Sequence, residues 1–596
     1  MRYLYSFIFW IFLYPTLFAQ FSIQGKVTNE KGEKLPYATV FLEGTTRAAA
    51  TDEQGKFLIT NITQGTYSLK VTFVGYRSWM TEIDVTKDFS IDIVMRGEIY
   101  HLDKIEIQAN RVGDKGIFSR QNLSKKELQK ENLGQDVPFI LQWTPSLVVT
   151  SDAGTGIGYT GLRLRGSDQT RVNVTINGVP LNDAESQNVF WVDLPDLMGS
   201  VNNIQIQRGV GTSTNGAGAF GGTVSINTAD IRIQPYVDIS GTIGAFDTRK
   251  IGINLGTGLL NNKYMIDARY STIQSDGYVD RATADLNSMF FSAARVTAKS
   301  SLRLNIISGK ERTYQAWYGV PQAKIDRNSD DLLQHYYNNL GSIYKSESDS
   351  VNLFNSGRTY NYYTYPDQID DYRQTHLQLI HALAIHPRWN VKSTLFYTKG
   401  RGFFEEFKYS DKLENYGLAS VTDDAGMTQS RSNIVRRRWL DNDLLGLLID
   451  AEYDIYHQWQ LQAGLAINQY IGDHFGQVLR SSVLIADFDK ARKYYKNRGN
   501  KTDRSGYFRA IHQPSQQLSI HIDMQVRHVG YVLDGMDNDL RMVSADENFL
   551  FFNPKFGANY SWTQGQQLYL SWAVANKEPS RGDFIDNTFS TSPQSE

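Results

Sequence analysis

The chain has no cysteine in 596 residues, which excludes disulfides, thiolate-ligated metal centres and thiol nucleophiles. That absence suits an exported protein that does not rely on disulfides. An excess of either charge is also missing. With 61 basic and 63 acidic side chains the formal net charge is −2, so no nucleic acid and no strongly charged partner is implied. Beyond the first twenty residues no apolar run approaches the roughly 20 residues of a spanning helix, so any membrane role must use strands. No histidine is followed by glutamate, either directly or three residues later, which removes the common zinc-hydrolase patterns. His381 and His386 are five apart on a strand-like stretch, so they face opposite sides and read as ordinary imidazoles. A secreted hydrolase finds no nucleophile, acid pair or metal cluster to rest on, the chain does not read as an enzyme, and no cofactor is implied.

Glycine, by contrast, is abundant, with 48 residues. In "NGAGAFGG" Gly216, Gly218 and Gly221 have the spacing of a dinucleotide-binding turn, which requires a strand before it and a helix after it. The stretch that follows, "TVSINT", is β-branched and alternating, which is strand chemistry. The same spacing at Gly156, Gly158 and Gly161 also precedes a strand-like run, "LRLRG". A glycine-rich β architecture explains both better than a nucleotide does.

The first residues, "MRYLYSFIFWIFLYPTLFAQ", pair Arg2 with an apolar run and a small residue, Ala19, and read as a signal peptide over residues 1–19. An uncleaved anchor is the alternative that the apolar length permits. Short alternating runs broken by turn residues then fill residues 20–97 and predict a compact β-sandwich. Gly25, Leu35-Pro36, Ala38, Gly44-Thr45, Thr51-Asp52, Gly55, Phe57, Gly65-Thr66-Tyr67 and Gly75-Tyr76 resemble the carboxypeptidase-regulatory-like domain. Without zinc-ligand spacing it reads as an accessory module.

A linker follows over residues 98–114. In it Leu102, Asp103, Lys104, Ile105, Glu106, Ile107, Gln108 and Ala109 resemble a TonB box, which would lend its edge to a periplasmic partner by strand addition. Taken alone, the same residues are a plain domain linker. Residues 115–232 resemble the plug domain of TonB-dependent outer-membrane receptors, through Arg165-Gly166, "INGVPLND", Arg208-Gly209 and the run ending in Gly221-Gly222. The resemblance implies that Arg165 and Arg208 are buried charges paired with carboxylates of a barrel wall, direct ligand contact being the alternative. The stretch "NDAESQNVFW" puts polar and aromatic groups on one loop. If that loop is an outward apex, Asn182, Asp183, Glu185, Asn188, Phe190 and Trp191 are candidate ligand contacts; otherwise the aromatics pack the core and the polar groups make turns.

From residue 233 to 596 the texture changes to long segments of period two, such as "KYMIDARYSTIQS" and "WQLQAGLAINQYIG", as expected of a transmembrane antiparallel β-barrel. Short turns alternate with long polar loops near 313–372, 408–435, 479–503 and 535–547, the asymmetry of outer-membrane barrels. Gln315, Trp317 and Tyr318 open the first long loop, where they would meet a ligand or join an interfacial aromatic girdle. About 13 strand-like segments can be counted, against about 22 in large barrels of this kind, and the chain lacks a terminal aromatic-ended strand. Both features suggest that the C-terminal part of the barrel is missing, a smaller closed barrel being the alternative.

The expected fold class is therefore mainly β: an N-terminal sandwich, an α+β plug and a transmembrane barrel. What the family resemblance implies is TonB-dependent uptake of a scarce small-molecule ligand across the cell outer membrane, energised by TonB with ExbB and ExbD. The barrel would face outer-membrane lipid, with plug and sandwich on the periplasmic side. Residues 201–222 lack the lysine- and aspartate-rich ending of glycan-importing relatives, which tilts the ligand toward a metal chelate such as a ferric siderophore, haem or a cobalamin. A non-transporting surface binding or adhesion protein, or a defective receptor remnant, is the alternative.

Overall fold

In a computed structural model of the chain, residues 20–586 are described, apart from 31, 74–75, 77, 96–118, 217–219, 298, 387, 423–425, 456–457, 486–487 and 564–565. The segment read as a signal peptide and the box at 102–109 lie outside the described residues. The chain divides into two compact units, residues 1–101 and 102–596.

The first unit is a pair of four-stranded sheets. One contains β1 (Gln20–Asn29), β4 (Lys56–Thr63), β7 (Phe89–Ser90) and β8 (Ile93–Met95), the other β2 (Thr39–Leu42), β3 (Ala48–Ala50), β5 (Gly65–Thr72) and β6 (Trp79–Val85). Alternation decides what is buried: β4 turns Phe57 and Ile59 inward and leaves Leu58 exposed. These side chains join Ile23, Val27, Val40 and Leu69 in a single apolar core.

The second unit opens with the plug. Its five-stranded sheet runs β13 (Val179–Pro180), β12 (Val172–Ile176), β15 (Gly222–Asn227), β14 (Asn203–Arg208), β9 (Ser119–Ser124), with β12 and β15 parallel. A two-stranded sheet of β10 (Leu147–Ser151) and β11 (Thr160–Leu164) accompanies it. Every residue of β12 and β15 is buried, because both faces of the sheet are covered, as expected of central parallel strands. The glycine run has its explanation here. A Cβ on Gly222 would lie 2.3 Å from Leu164 Cδ2 and one on Gly221 2.4 Å from Ser167 Cβ, so the glycines let β15 close on the β11 turn.

A meander of thirteen antiparallel strands forms the wall. It begins with β16 (Tyr236–Ile243), β17 (Arg249–Gly256), β18 (Tyr264–Ser275), β19 (Ala284–Val296), β20 (Ser300–Tyr314), β21 (Ile369–His386) and β22 (Trp389–Lys412). After a loop hairpin, β23 (Val421–Thr422) and β24 (Thr428–Gln429), it continues as β25 (Arg431–Ile455), β26 (Trp459–Ser481), β27 (Lys493–His512), β28 (Leu518–Met536), β29 (Met542–Thr563) and β30 (Gln566–Ala573). Its burial is inverted relative to the sandwich. On β28 Ser519, His521, Asp523, Gln525 and Arg527 are buried, while Ile520, Met524, Val526 and Val532 are exposed. That is the pattern of a wall with apolar groups toward lipid and polar ones toward a filled interior.

Two expectations about the loops need correction. The connection at 315–368 is not plain loop but contains three helices, Gln322–Asp326, Ser329–Asn339 and Glu347–Asn355, the last two capped by Asn328 and Ser346. The loops read at 408–435 and 479–503 are shorter than expected, since β22 and β25 stay paired out to Lys412 and Arg431, and β26 runs to Ser481 and β27 starts at Lys493. Beyond Phe407 β22 is polar on both faces, so period two disappears from the sequence there while the ladder continues.

Candidate functional site

The loop from Asn182 to Trp191 rises from β13 and is shaped by its own side chains. Asn182 Oδ1 accepts from Val174 N at 2.8 Å, and its Nδ2 donates to the carbonyls of Val172 and Gln187, both at 3.0 Å. Asp183 Oδ1 accepts from the amides of Glu185 and Ser186 at 3.1 and 2.7 Å, a side-chain-closed turn. This turn pushes Glu185 into the wall. There its Oε2 accepts from His474 Nε2 at 2.7 Å, and its Oε1 accepts from the Tyr531 hydroxyl at 2.7 Å and Arg581 Nη1 at 3.3 Å. Burial alone would raise the Glu185 pKa, but the charges of His474 and Arg581 and the Tyr531 hydrogen bond hold it down at about 2. Backbone contacts secure the same tip, since Lys501 Nζ donates to the Ala184 carbonyl at 2.6 Å and Gln187 Nε2 to that of Glu578 at 2.9 Å.

A second tie lies on another side of the plug. Asp196, 3% exposed at its side chain, meets Lys250 Nζ of β17 at 2.6 Å and Arg269 Nη1 of β18 at 3.0 Å. Burial works against its charge, yet Arg269 and Lys250 together keep its carboxyl below the ordinary range. Further round, Lys392 of β22 donates to the Asn177 carbonyl at 3.1 Å, and Asp523 of β28 accepts from Ser213 N at 2.9 Å. Lys555 of β29 reaches Ser213 Oγ at 3.0 Å. Gly309 of β20 lets the wall touch the plug backbone, as a Cβ there would lie 2.0 Å from the Asp193 carbonyl oxygen. Contacts from β17 to β29 show that the sheet wraps the plug.

Arg165 and Arg208 are not among these ties. Arg165 is exposed in a left-handed turn with φ of 53°, and Arg208 is half-buried. Neither forms an ion pair with a carboxylate among the described residues. Asp196 and Glu185 carry the buried pairing that the sequence assigned to these arginines.

Between the plug apex and the wall, at the end bearing the helical loop, is a cavity of about 530 Å³. Asp152, Tyr159, Asp183, Glu185, Phe190 and Asp193 line it from the plug side. Its other side includes Glu311, Trp317, Asp370, Phe403, Phe404, Arg438, Trp439 and His474. The Trp317 ring meets Tyr159 and Phe404 edge-on, each at 5.6 Å between centroids. Of the three consecutive arginines on β25, Arg436 pairs with Glu406 and Arg437 with Glu405, both at 2.8 Å. Arg438 instead donates from Nε to the Tyr495 hydroxyl at 3.3 Å and sits over the Phe404 ring. Asp152 is pushed up to about 6 by burial. Among the described residues no three histidines or carboxylates are grouped to hold one metal ion.

Of the nine residues singled out in the sequence, Asp183, Glu185, Phe190 and Trp317 line the cavity and five do not. Asn182 and Asn188 belong to the loop's internal bonding. Trp191, 1% exposed, packs in the plug core with Val174, Ile204 and Val224. Gln315 is fully buried, and its Nε2 donates to the carbonyls of Ile369 and Glu405, both at 3.1 Å, as a bracket between strands. Tyr318 is 62% exposed and packs on Tyr362 and Tyr363 outside the cavity. The reading missed Tyr159, Asp193, Glu311, Asp370 and Arg438. The triple arginine inside an alternating strand was the available signal for the last, and Asp193 lies two residues past the chosen stretch.

Comparison with known proteins agrees with this architecture. Residues 23–107 match the CarboxypepD_reg-like domain, 115–223 the TonB-dependent receptor plug domain, and 308–595 the TonB-dependent receptor-like β-barrel. The probable TonB-dependent siderophore receptor PirA of Acinetobacter baumannii is 21% identical over 244 residues. That match covers 38% of this chain and only 30% of the relative's length. Among solved structures, the ferric-catecholate import receptor Fiu of E. coli superposes with a TM-score of 0.57 at 12% identity, over 78% of this chain and 70% of that one. The ferric yersiniabactin uptake receptor FyuA of Yersinia pestis gives 0.54 at 12% identity, over 78% and 65%. A plug threaded by wall contacts, an inside-out wall and matches to both domains converge: the chain belongs to the TonB-dependent receptors of the outer membrane, a family of receptors and not of enzymes, and carries a carboxypeptidase-regulatory-like domain ahead of its plug.

Proposed function

We propose that this receptor takes up a scarce small-molecule ligand across the outer membrane, drawing energy from TonB with ExbB and ExbD through residues 102–109. The ligand is a metal chelate of the class of ferric siderophores, haem or cobalamins, bound first in the cavity between the plug apex and the wall. Asp183, Glu185, Phe190 and Trp317 are its contacts, with Arg438 facing the anionic part of the chelate. The plug and the N-terminal sandwich face the periplasm, and the exposed apolar side chains of the wall face lipid.

The observation that carries this reading is the cavity itself, which opens beside Glu185, a plug residue held by three wall-side partners. A ligand entering there is in position to disturb the tie that keeps the plug seated. Coupling then acts as a population shift between seated and released plug. Deleting residues 102–109 is the test: in iron-limited cells, uptake of a ferric siderophore should stop while surface binding persists. Uptake that survives the deletion would overturn the proposal in favour of a non-transporting binder.

A further inference from the structure

One end of the cavity holds three buried carboxylates with no cation beside them. Asp193, Glu311 and Asp370 are 5%, 1% and 7% exposed, and none forms an ion pair among the described residues. Glu311 accepts from the Thr313 hydroxyl at 3.1 Å, and the Tyr159 hydroxyl bonds to Asp370 and lies 3.5 Å from Glu311. The Asp193 carboxylate lines the cavity with no hydrogen-bond or ion-pair partner at all among the described residues. The basic side chains lining this cavity lie away from these acids: His474 and Arg581 hold Glu185, and Arg438 lies over the Phe404 ring.

We infer that the ligand carries a positively charged nitrogen group, an ammonium or guanidinium, which is received by Asp193, Glu311 and Asp370 beneath the Trp317 ring. Buried carboxylates served only by neutral hydroxyls are costly, and an arriving cation with several N–H donors offsets that cost through charge-assisted hydrogen bonds. The rings of Tyr159, Trp317 and Phe404 add faces that attract an organic cation. A bare metal ion fits less well, since these carboxylates are not grouped around one point. Burial first, and then the charges of Asp370 and Asp183, push the Asp193 carboxyl up, as expected of a site incomplete without its counter-charge.

The inference rests on the uptake reading for its biological sense, but it is tested without it. Tyramine and 4-propylphenol share ring, hydroxyl and length and differ in the ammonium group, so equilibrium dialysis of both against the purified full chain at pH 7 isolates the charge. Tyramine should bind about ten-fold more tightly, the scale of a charge-assisted pair combined with a cation–π contact. That preference should vanish in Asp193→Asn and shrink in Glu311→Gln. Equal affinity for the two probes, no binding of either, or an undiminished preference in both variants would overturn the inference. The uptake reading fails separately. Tyramine selectivity that no ferric chelate displaces, together with uptake that survives deletion of residues 102–109, would sink uptake and leave the cation site standing.

Discussion

Two groups of buried carboxylates occupy the same plug–wall boundary under opposite conditions. Asp196 and Glu185 are each met by two basic side chains, whereas Asp193, one turn of chain from Asp196, faces Glu311 and Asp370 with no base between them. The paired acids tie plug to wall, because removing either partner would strand a charge in a dry interface. The unpaired acids form no ion pair among the described residues: Asp370 meets the plug through the neutral Tyr159 hydroxyl, and all three open onto the cavity. Side chains of the same chemistry, a few residues apart, are thus divided between holding the plug and receiving what enters.

The division breaks most visibly at Asp196. Asp196→Ala leaves Lys250 and Arg269 buried without a counter-charge and should destabilise the seated plug by about 3–5 kcal/mol. Hydrogen exchange of the plug amides and channel openings in planar bilayers would register the loss. Unchanged protection in this variant would mean that the ion pair is incidental. A backbone contact offers a smaller perturbation. Gly309→Ala puts a methyl group into the Asp193 carbonyl, and overpacking of that kind costs about 1–3 kcal/mol, read as faster exchange around residues 191–194. At the unpaired end the sign reverses. With ligand absent at neutral pH, Asp193→Asn should stabilise the plug by about 1–2 kcal/mol, since it removes a carboxylate from beside two others. A loss of stability there would place Asp193 among the structural ties.

How much of this was legible follows from the range of each interaction. Period-two alternation is local, so the sandwich and most wall strands could be read from the sequence, and the plug was reached through its glycine-rich landmarks. The ladder beyond Lys408 was not, because "YSDK" is polar on both faces and the stretch it runs into, "RSNIVRRR", breaks the alternation with adjacent apolar residues and three consecutive arginines. Nor were the helices of 315–368 anticipated inside an all-strand expectation. The loop at 182–191 was singled out, yet its residues separate only in three dimensions: Trp191 goes to the core, Asn182 to the backbone and Glu185 to the wall. Glu185 meets His474 across 289 residues of chain, and Asp196 meets Lys250 across 54. No local pattern carries such pairs. The glycine spacing misled only in isolation, since what Gly222 accommodates is Leu164, a neighbour in space supplied by another strand.

Asp136 sharpens the comparison from a third position, away from the cavity. Its Oδ2 accepts from the Thr160 hydroxyl at 2.9 Å, while its other oxygen is buried with no hydrogen-bond partner. Burial pushes its carboxyl up to about 8, against the opposing Thr160 hydrogen bond, whereas Asp196 is held below the ordinary range by its two bases. The two therefore respond to pH with opposite sign. A raised carboxyl contributes fully below the unfolded value near pH 4 and loses that contribution as pH climbs toward 8; a lowered one contributes above the unfolded range and loses it only in acid. Between pH 6 and 7 Asp196 should be silent, and Asp136 should cost the plug up to about 1.4 kcal/mol. Asp136→Asn keeps the shape and one acceptor but cannot ionise, so the protection factors of the plug amides, exchange rates corrected for intrinsic base catalysis, should fall less steeply over the interval in that variant, the remaining slope coming from other raised carboxyls such as Asp152 and Asp193. An unchanged slope would assign the whole pH response to those other groups, and one that steepens would mean that the Asp136 charge is stabilised in the folded plug.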